Sequence, residues 1–181
     1  MIFGPVAVTT LVDGLGSMDA AAGIAFDATG TMLFVADTSN HQIRSFWTNT
    51  GAPASFVIGG IPGFAAGIGT AASLARPFGI AADSNGNLFV SEEGNRCITK
   101  IVIATRQTSL LAGGVSAGAA DGTGTNAQFS SPEGIVVRTS VTLLPAYCAG
   151  GDTVLILTKQ LRATISDLLM RFLSTHTTAQ I

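Results

Sequence analysis

Charged side chains are scarce in this 181-residue chain, because only 11% of its residues are Asp, Glu, Lys or Arg, against about 25% in an average soluble domain. Nine residues are basic, two of them lysines, and the formal net charge is −2. The chain therefore has no basic stripe that would release counterions from a phosphate backbone, and the composition argues against a nucleic-acid partner.

Cysteine and long apolar runs are also scarce. Neither Cys97 nor Cys148 stands in a CxxC pair or near a histidine at metal-ligand spacing. No apolar run approaches the ~18 residues of a membrane span, and residues 1–12, MIFGPVAVTTLV, lack a basic region and a cleavage site. We expect no cofactor, no metal and no membrane partner. The compartment stays open, with the cytoplasm slightly favoured.

The chain does contain an internal repeat. Residues 34–44 read FVADTSNHQIR and residues 89–99 read FVSEEGNRCIT, so that Phe, Val, an acid, Asn and Ile recur at a spacing of 89 − 34 = 55 positions. Repetition at a fixed period indicates that each copy is one supersecondary unit, which buries its apolar faces by stacking on its neighbours.

The sequence pattern of each unit predicts four short β-strands separated by turns. The first copy contains GIAFD, MLFVA, HQIRSF and SFVIGG, and the second contains GIAAD, NLFVS, RCITKI and SLLAGG. Both alternating faces of MLFVA are apolar, and no helical pattern lies between the copies to cover them, so another sheet must do so. We therefore predict an all-β fold, a partial β-propeller whose four-stranded antiparallel blades span residues 23–60 and 79–114.

The pattern P-x-G-[IV]-A-x-D-x-x-G-x-[LM]-[FY]-V-[AS]-[DE]-x-x-N-x-x-I resembles the NHL repeat. The resemblance covers roughly residues 8–137, as two good copies and the start of a third, SPEGIVV. It implies a β-propeller, most often six-bladed, that commonly serves as a scaffold for protein or ligand binding. The alternative that the resemblance leaves open is a propeller enzyme of lactonase-like or lyase-like type, because propellers carry unrelated functions.

The repeated acid and asparagine of the DTSN and EEGN turns predict structural turn chemistry rather than ligand binding. We expect Asp37 and Glu92 to accept backbone N–H bonds across their own four-residue turns. We expect Asn40 and Asn95 to adopt the left-handed conformation that closes those turns.

A candidate binding surface follows from the resemblance, because chemistry in propeller enzymes usually lies where the inner strands begin. In this chain those positions are Arg76, Phe78 and Glu133, and His41 and Arg96 occupy matching turn exits that we expect to be exposed and polar. The sequence has no Ser–His–Asp spacing and no HExxH, so we predict no catalytic, cofactor-binding or metal-binding residue.

The repeat fails within its third copy. Arg138 stands where the first two copies have Asp27 and Asp83, and TVLILT is a candidate second strand. We therefore divide the chain into NHL-like blades over residues 1–137, with a degenerate third blade over residues 138–158.

A C-terminal helix and tail are predicted over residues 159–181. From Lys159 the apolar residues follow helical spacing, which indicates an amphipathic helix over residues 159–174. Three roles remain open for this helix: covering an exposed blade face, binding a partner, or reflecting a truncated or mistranslated reading frame.

Three repeats at most fit in the chain, whereas propellers close with about four to eight blades. The segment VTTLVDG at residues 8–14 forms an orphan strand ahead of both units. Either two copies of the chain form a ring as a homodimer, or flanking repeats are missing and the chain is a fragment. The fragment interpretation is favoured because the third unit degenerates where a closing interface should be best formed.

Overall fold

The computed structural model describes residues 18–114, 116–138 and 153–158. The predicted orphan strand at residues 8–14 and the predicted amphipathic helix at residues 159–174 lie outside these described residues. Across the described ranges, no helix is long and apolar enough to span a membrane.

Two four-stranded antiparallel sheets form the body of the described chain, each with its strands in sequence order. Blade 1 contains β1 (Ala21–Phe26), β2 (Met32–Asp37), β3 (Gln42–Trp47) and β4 (Pro53–Gly59). Blade 2 contains β5 (Pro77–Ala82), β6 (Asn87–Glu92), β7 (Cys97–Val102) and β8 (Gln107–Gly113). The predicted all-β fold class, with four-stranded antiparallel blades, is confirmed.

The third unit contributes two antiparallel strands, β9 (Pro132–Arg138) and β10 (Thr153–Thr158). The strand β10 lies beside β9 as β2 lies beside β1, which is the place of the second strand predicted from TVLILT. Between the units, Gly69–Ala71 and Gly124–Asn126 each form a single 3₁₀ turn.

An aspartate closes the turn between the first two strands of each blade. Asp27 Oδ1 accepts the backbone N–H of Met32 at 2.9 Å, and Asp83 Oδ1 accepts that of Asn87 at 2.7 Å. Gly86 has φ +80°, the left-handed conformation that glycine adopts without steric cost. These turns hold the first strand of each blade against the second.

The two blades pack face to face, as the two-sided apolar strands predict. One buried cluster joins Phe34 and Ile43 of blade 1 to Leu88 and Val90 of blade 2. The rings of Phe34 and Phe56 meet edge to face, with centroids 5.0 Å apart. Blade 2 thus buries one apolar face of blade 1, as a neighbouring sheet does in a stack of blades.

The inner strands β1, β5 and β9 lie side by side although they belong to different sheets. A methyl group on Gly23 would overlap the carbonyl oxygen of Phe78, and a methyl group on Gly79 would overlap that of Glu133. Glycine is therefore required where the backbones of successive inner strands meet. Successive sheets stacked with their first strands together form a β-propeller-like arrangement.

Candidate functional site

One end of the blade stack gathers all five residues of the predicted binding surface. The inner strands begin at this end, and the turns between the second and third strands lie there too, because Asp37 pairs with Ala21 and Glu92 with Pro77. We call this surface the rim, and define it by His41, Arg76, Phe78, Arg96 and Glu133 together with Glu93.

Two of the predicted residues are in direct contact on the rim. The backbone N–H of Arg76 donates to His41 Nδ1 at 3.1 Å, which joins the turn of blade 1 to the start of β5. His41 is only partly exposed, so the prediction that it is an exposed polar residue is wrong in this respect. The bond from Arg76 explains the difference, because it holds the imidazole against the neighbouring blade.

The Arg76 guanidinium forms an ion pair on the rim, with Nε and Nη2 each 3.1 Å from Glu93 Oε2. Ser131 Oγ donates to Glu93 Oε1 at 3.4 Å. A pair this exposed contributes only about 0–1 kcal/mol to stability. Its effect is to place one cation and one anion of blade 2 at a fixed spacing on the surface, and Ser131 links this pair to the segment before the third unit.

The remaining predicted residues differ in exposure. Phe78 is half-buried and Arg96 is exposed, whereas Glu133 is buried. The backbone carbonyl of Glu133 accepts a hydrogen bond from Ser91 Oγ at 2.8 Å, which ties β9 to blade 2. The exposed polar part of the rim therefore consists mainly of Arg76 and Arg96.

The expected left-handed conformation of Asn40 and Asn95 is wrong. The positive φ angles belong to the following residues, His41 at 56° and Arg96 at 54°. The asparagines act through their side-chain amides instead. Asn40 Nδ2 donates to both carboxylate oxygens of Asp37, at 2.9 and 3.0 Å, and Asn95 Nδ2 donates to Glu92 Oε2 at 2.6 Å.

The backbone partners of the turn acids also differ from the prediction. Asp37 Oδ1 accepts the N–H of Asp19 at 2.9 Å, and Glu92 Oε2 accepts that of Ala75 at 2.8 Å. Asp19 and Ala75 precede the inner strands, so these bonds reach outside the acid's own turn. Each acid therefore fastens the start of its blade, a contact that turn patterns alone do not reveal.

The two buried acids have different surroundings. Asp37 accepts from Gln42 Nε2 at 2.8 Å and lies 3.9 Å from Arg44 Nη1. The corresponding positions in blade 2 are Cys97 and Thr99. Within the described chain, no Lys, Arg or His nitrogen lies within 4.0 Å of the Glu92 carboxylate.

Burial raises the pKa of two neighbouring groups in blade 2, the Glu92 carboxyl and the Cys97 thiol. Desolvation raises the pKa of Glu92, against the opposing effect of hydrogen bonds from Thr99, Ala75 and Asn95. Burial also raises the pKa of the Cys97 thiol, and the nearby Glu92 charge adds to that shift. The thiol is therefore protonated at neutral pH and is a poor nucleophile.

A cavity of about 70 Å³ adjoins Glu92 and was not predicted from the sequence. The loop after blade 1 contributes Phe64 and Leu74 to its wall, and the blade 2 strands contribute Thr99 and Thr108. The sequence contains one indication of this cavity: Thr99 occupies the position in the second repeat that the longer Arg44 occupies in the first. A second cavity, of about 270 Å³, lies at the opposite end of the blades beside Trp47 and Arg106.

One face of blade 1 is uncovered along its inner strand. Ile24 and Ile80 occupy the same position in the two units, opposite Val35 and Val90, yet Ile24 is 63% exposed and Ile80 only 6%. Phe26 on the same face is 53% exposed. Blade 1 covers Ile80, and no described sheet covers Ile24.

No protein-family model matches the chain. The protein SUPPRESSOR OF QUENCHING 1, chloroplastic, of Arabidopsis thaliana is 28% identical over 113 residues, which are 58% of this chain. The chain spans 11% of the length of that relative.

Two solved structures from Bacteroides thetaiotaomicron share the fold. An auxiliary nutrient binding protein aligns with a TM-score of 0.51 and 19% identity, over 62% of this chain and 31% of its own. A second protein, provisionally assigned as a phosphatase, aligns with a TM-score of 0.54 and 20% identity, over 62% of this chain and 29% of its own. At these identities the similarity concerns the fold alone.

Proposed function

We propose that this chain is an NHL-like part of a β-propeller scaffold that binds a protein partner through the rim. The observation that carries the proposal is the contact of His41 with Arg76 and the ion pair of Arg76 with Glu93. These contacts hold the charged groups of Arg76 and Glu93, both of the second unit, at fixed positions on one surface, and His41 of the first unit anchors the Arg76 backbone there. Arginine is the cation that interfaces favour, because its planar fork binds carboxylates in a bidentate manner.

The alternative is a lactonase-like or lyase-like propeller enzyme, for which several acids, asparagines or histidines should converge on the axis. The described inner strands begin with Ala-Ala, Pro-Phe and Pro-Glu at residues 21–22, 77–78 and 132–133, so they present one carboxylate. In the described part of the chain, no group of three or more His, Cys, Asp or Glu could hold a metal ion. These observations favour the scaffold.

Affinity capture with matched variants tests the rim. The double variant Arg76→Glu, Arg96→Glu reverses charge at the rim, and Arg106→Glu makes the same change at the opposite end of the blades. Proteins captured by the wild type should be retained by Arg106→Glu and lost with the double variant, at unchanged melting temperature. Equal recovery with the rim variant would reject the rim as the binding surface.

The uncovered face of blade 1 supports a second part of the proposal, that a further sheet of the same repeat packs there. The covered position Ile80 is the internal precedent for Ile24. We favour flanking repeats as the source of this sheet, and a second copy of the chain as the alternative. Sedimentation of the purified chain distinguishes them: a clean dimer rejects flanking repeats as the required source, and a soluble monomer rejects the two-copy ring.

A further inference from the structure

Blade 1 contains its own cation beside the buried turn acid. Arg44 Nη1 lies 3.9 Å from Asp37 Oδ2, and the guanidinium carbon lies 5.5 Å from the centroid of the Phe46 ring. A carboxylate and an aromatic ring thus share one guanidinium. Both contacts favour a cation, by Coulomb attraction and by interaction with the ring quadrupole.

Blade 2 keeps the acid and lacks this cation. Glu92 is 1% exposed, and it accepts hydrogen bonds from the neutral donors Ala75, Asn95 and Thr99. Thr99 occupies the position of Arg44, since 99 − 44 equals the repeat spacing of 55. Without a cation, the ionised form of a buried carboxyl is costly, which is why burial raises the pKa of Glu92. A cation bound beside Glu92 would stabilise its ionised form, as Arg44 does for Asp37 in blade 1.

The cavity of about 70 Å³ lies at this position, because both Glu92 and Thr99 line it. About 10–15 Å³ of such volume holds one water molecule, so a group of a few heavy atoms fits and a sugar or nucleotide does not. Phe64, which also lines the cavity, offers an aromatic ring as Phe46 does in blade 1. Thr99 Oγ1 donates its hydrogen to Glu92. Thr108 Oγ1 donates to the Gly67 carbonyl and accepts the Gly67 N–H at 2.8 Å. Each hydroxyl therefore keeps an acceptor lone pair for a further N–H group.

We propose that this cavity binds a guanidinium group, which completes in blade 2 the arrangement that Arg44 makes in blade 1. Guanidinium fits better than ammonium because it is planar, weakly hydrated and able to stack on a ring, so it loses less on leaving water. The group belongs either to a free small guanidine or to an arginine side chain of a peptide. Both sources present the same head group to Glu92.

Titration with methylguanidinium chloride, followed by NMR, tests the proposal on the intact chain. We expect saturable binding with shifts at the Thr99 and Thr108 methyl groups, absent with an equal concentration of sodium chloride. Glu92→Gln should weaken binding at least about tenfold, the effect of losing one charged contact, while Asp121→Asn, at an exposed loop carboxylate, should leave it unchanged. Wild-type protein without saturation well into the millimolar range would overturn the proposal.

A second variant covers the case in which Glu92→Gln does not fold. Thr99→Arg supplies a tethered guanidinium, so it should abolish methylguanidinium binding and raise the melting temperature. A Thr99→Arg protein that still binds methylguanidinium at Glu92 with wild-type affinity would contradict the proposed site. A short arginine peptide distinguishes the sources: tighter binding than methylguanidinium identifies an arginine side chain, and equal or weaker binding identifies a free guanidine.

Discussion

Replacement of Gly79 by alanine tests the packing of the inner strands. The added methyl group would overlap the backbone carbonyl of Glu133 on β9, which has no rotamer to escape into, and would press on Ser91 Oγ at 2.8 Å. Overpacking costs about 1–3 kcal/mol, and disturbing the Ser91 hydrogen bonds costs about 0.5–1.5 kcal/mol more. The gain from a stiffer unfolded chain is about 0.4–1 kcal/mol. We expect a net loss of about 2–3 kcal/mol.

Urea denaturation of Gly79→Ala should therefore show a lower midpoint at an unchanged slope. Gly86→Ala is the matched control, because Gly86 has φ +80° and nothing within 4 Å of an added methyl group. That variant measures only the cost of placing alanine in the left-handed conformation, about 1–2 kcal/mol. If Gly79→Ala proves no more destabilising than Gly86→Ala, the inner strands of blade 2 and the third unit are not in contact as described.

Three further predictions concern the turns, the buried acid and the uncovered face. Asn40→Ala and Asn95→Ala should each lower the free energy of unfolding by about 1 kcal/mol, because each removes an amide that donates to the turn acid of its blade; thermal unfolding measures both, and binding at the rim should not change. Desolvation raises the pKa of Glu92 above its ordinary value of 4.5, so the Glu92 carboxyl binds its proton more tightly in the folded chain than in the unfolded chain. The stability that the protonated carboxyl contributes is fully present below pH 4.5 and is lost as pH rises through the folded pKa. The free energy of unfolding of Glu92→Gln should therefore increase relative to that of the wild type as pH rises from 4.5 through the folded pKa, as measured by denaturation curves. A difference in stability that does not change with pH would contradict the raised pKa. Ile80→Ala should cost about 2–4 kcal/mol and Ile24→Ala under about 1 kcal/mol, since only Ile80 is buried; equal losses in chemical denaturation would show that Ile24 is covered in solution.

The strand order of the blades was predictable because each strand carries its own local signal. Runs such as MLFVA and NLFVS are apolar on both faces, and each ends at a turn containing an acid and Asn. The first two strands of each blade are also joined by an aspartate turn, at Asp27 and Asp83, whose contacts lie within five residues. Features of this length are readable from a sequence.

The contacts of the turn acids were not predictable to the same extent, because they join distant segments. Asp19 lies 18 residues before Asp37, and Ala75 lies 17 residues before Glu92. Turn propensities describe neighbouring residues only. The repeat did contain a usable signal, since the acid recurs with Asn three positions later, a spacing that permits the observed side-chain bonds.

The candidate surfaces depend on how units stack. The rim residues were predicted from the resemblance, but the bond between Arg76 and His41 joins positions 35 apart. The cavity beside Glu92 depends on the loop that carries Phe64 folding back over blade 2. No local pattern encodes that return.

Nuclear Overhauser effects between successive inner strands report whether separate sheets stack with their first strands together. A methyl group on Gly23 would stand 3.0 Å from the backbone nitrogen of Ile80 and 3.1 Å from Gly79 Cα. Stacked inner strands should give cross-peaks from the Gly23 α protons to the Ile80 amide proton, alongside those within blade 1 between Ile24 and Val35. Intra-blade cross-peaks without the contact from Gly23 to Ile80 would contradict the stacked arrangement.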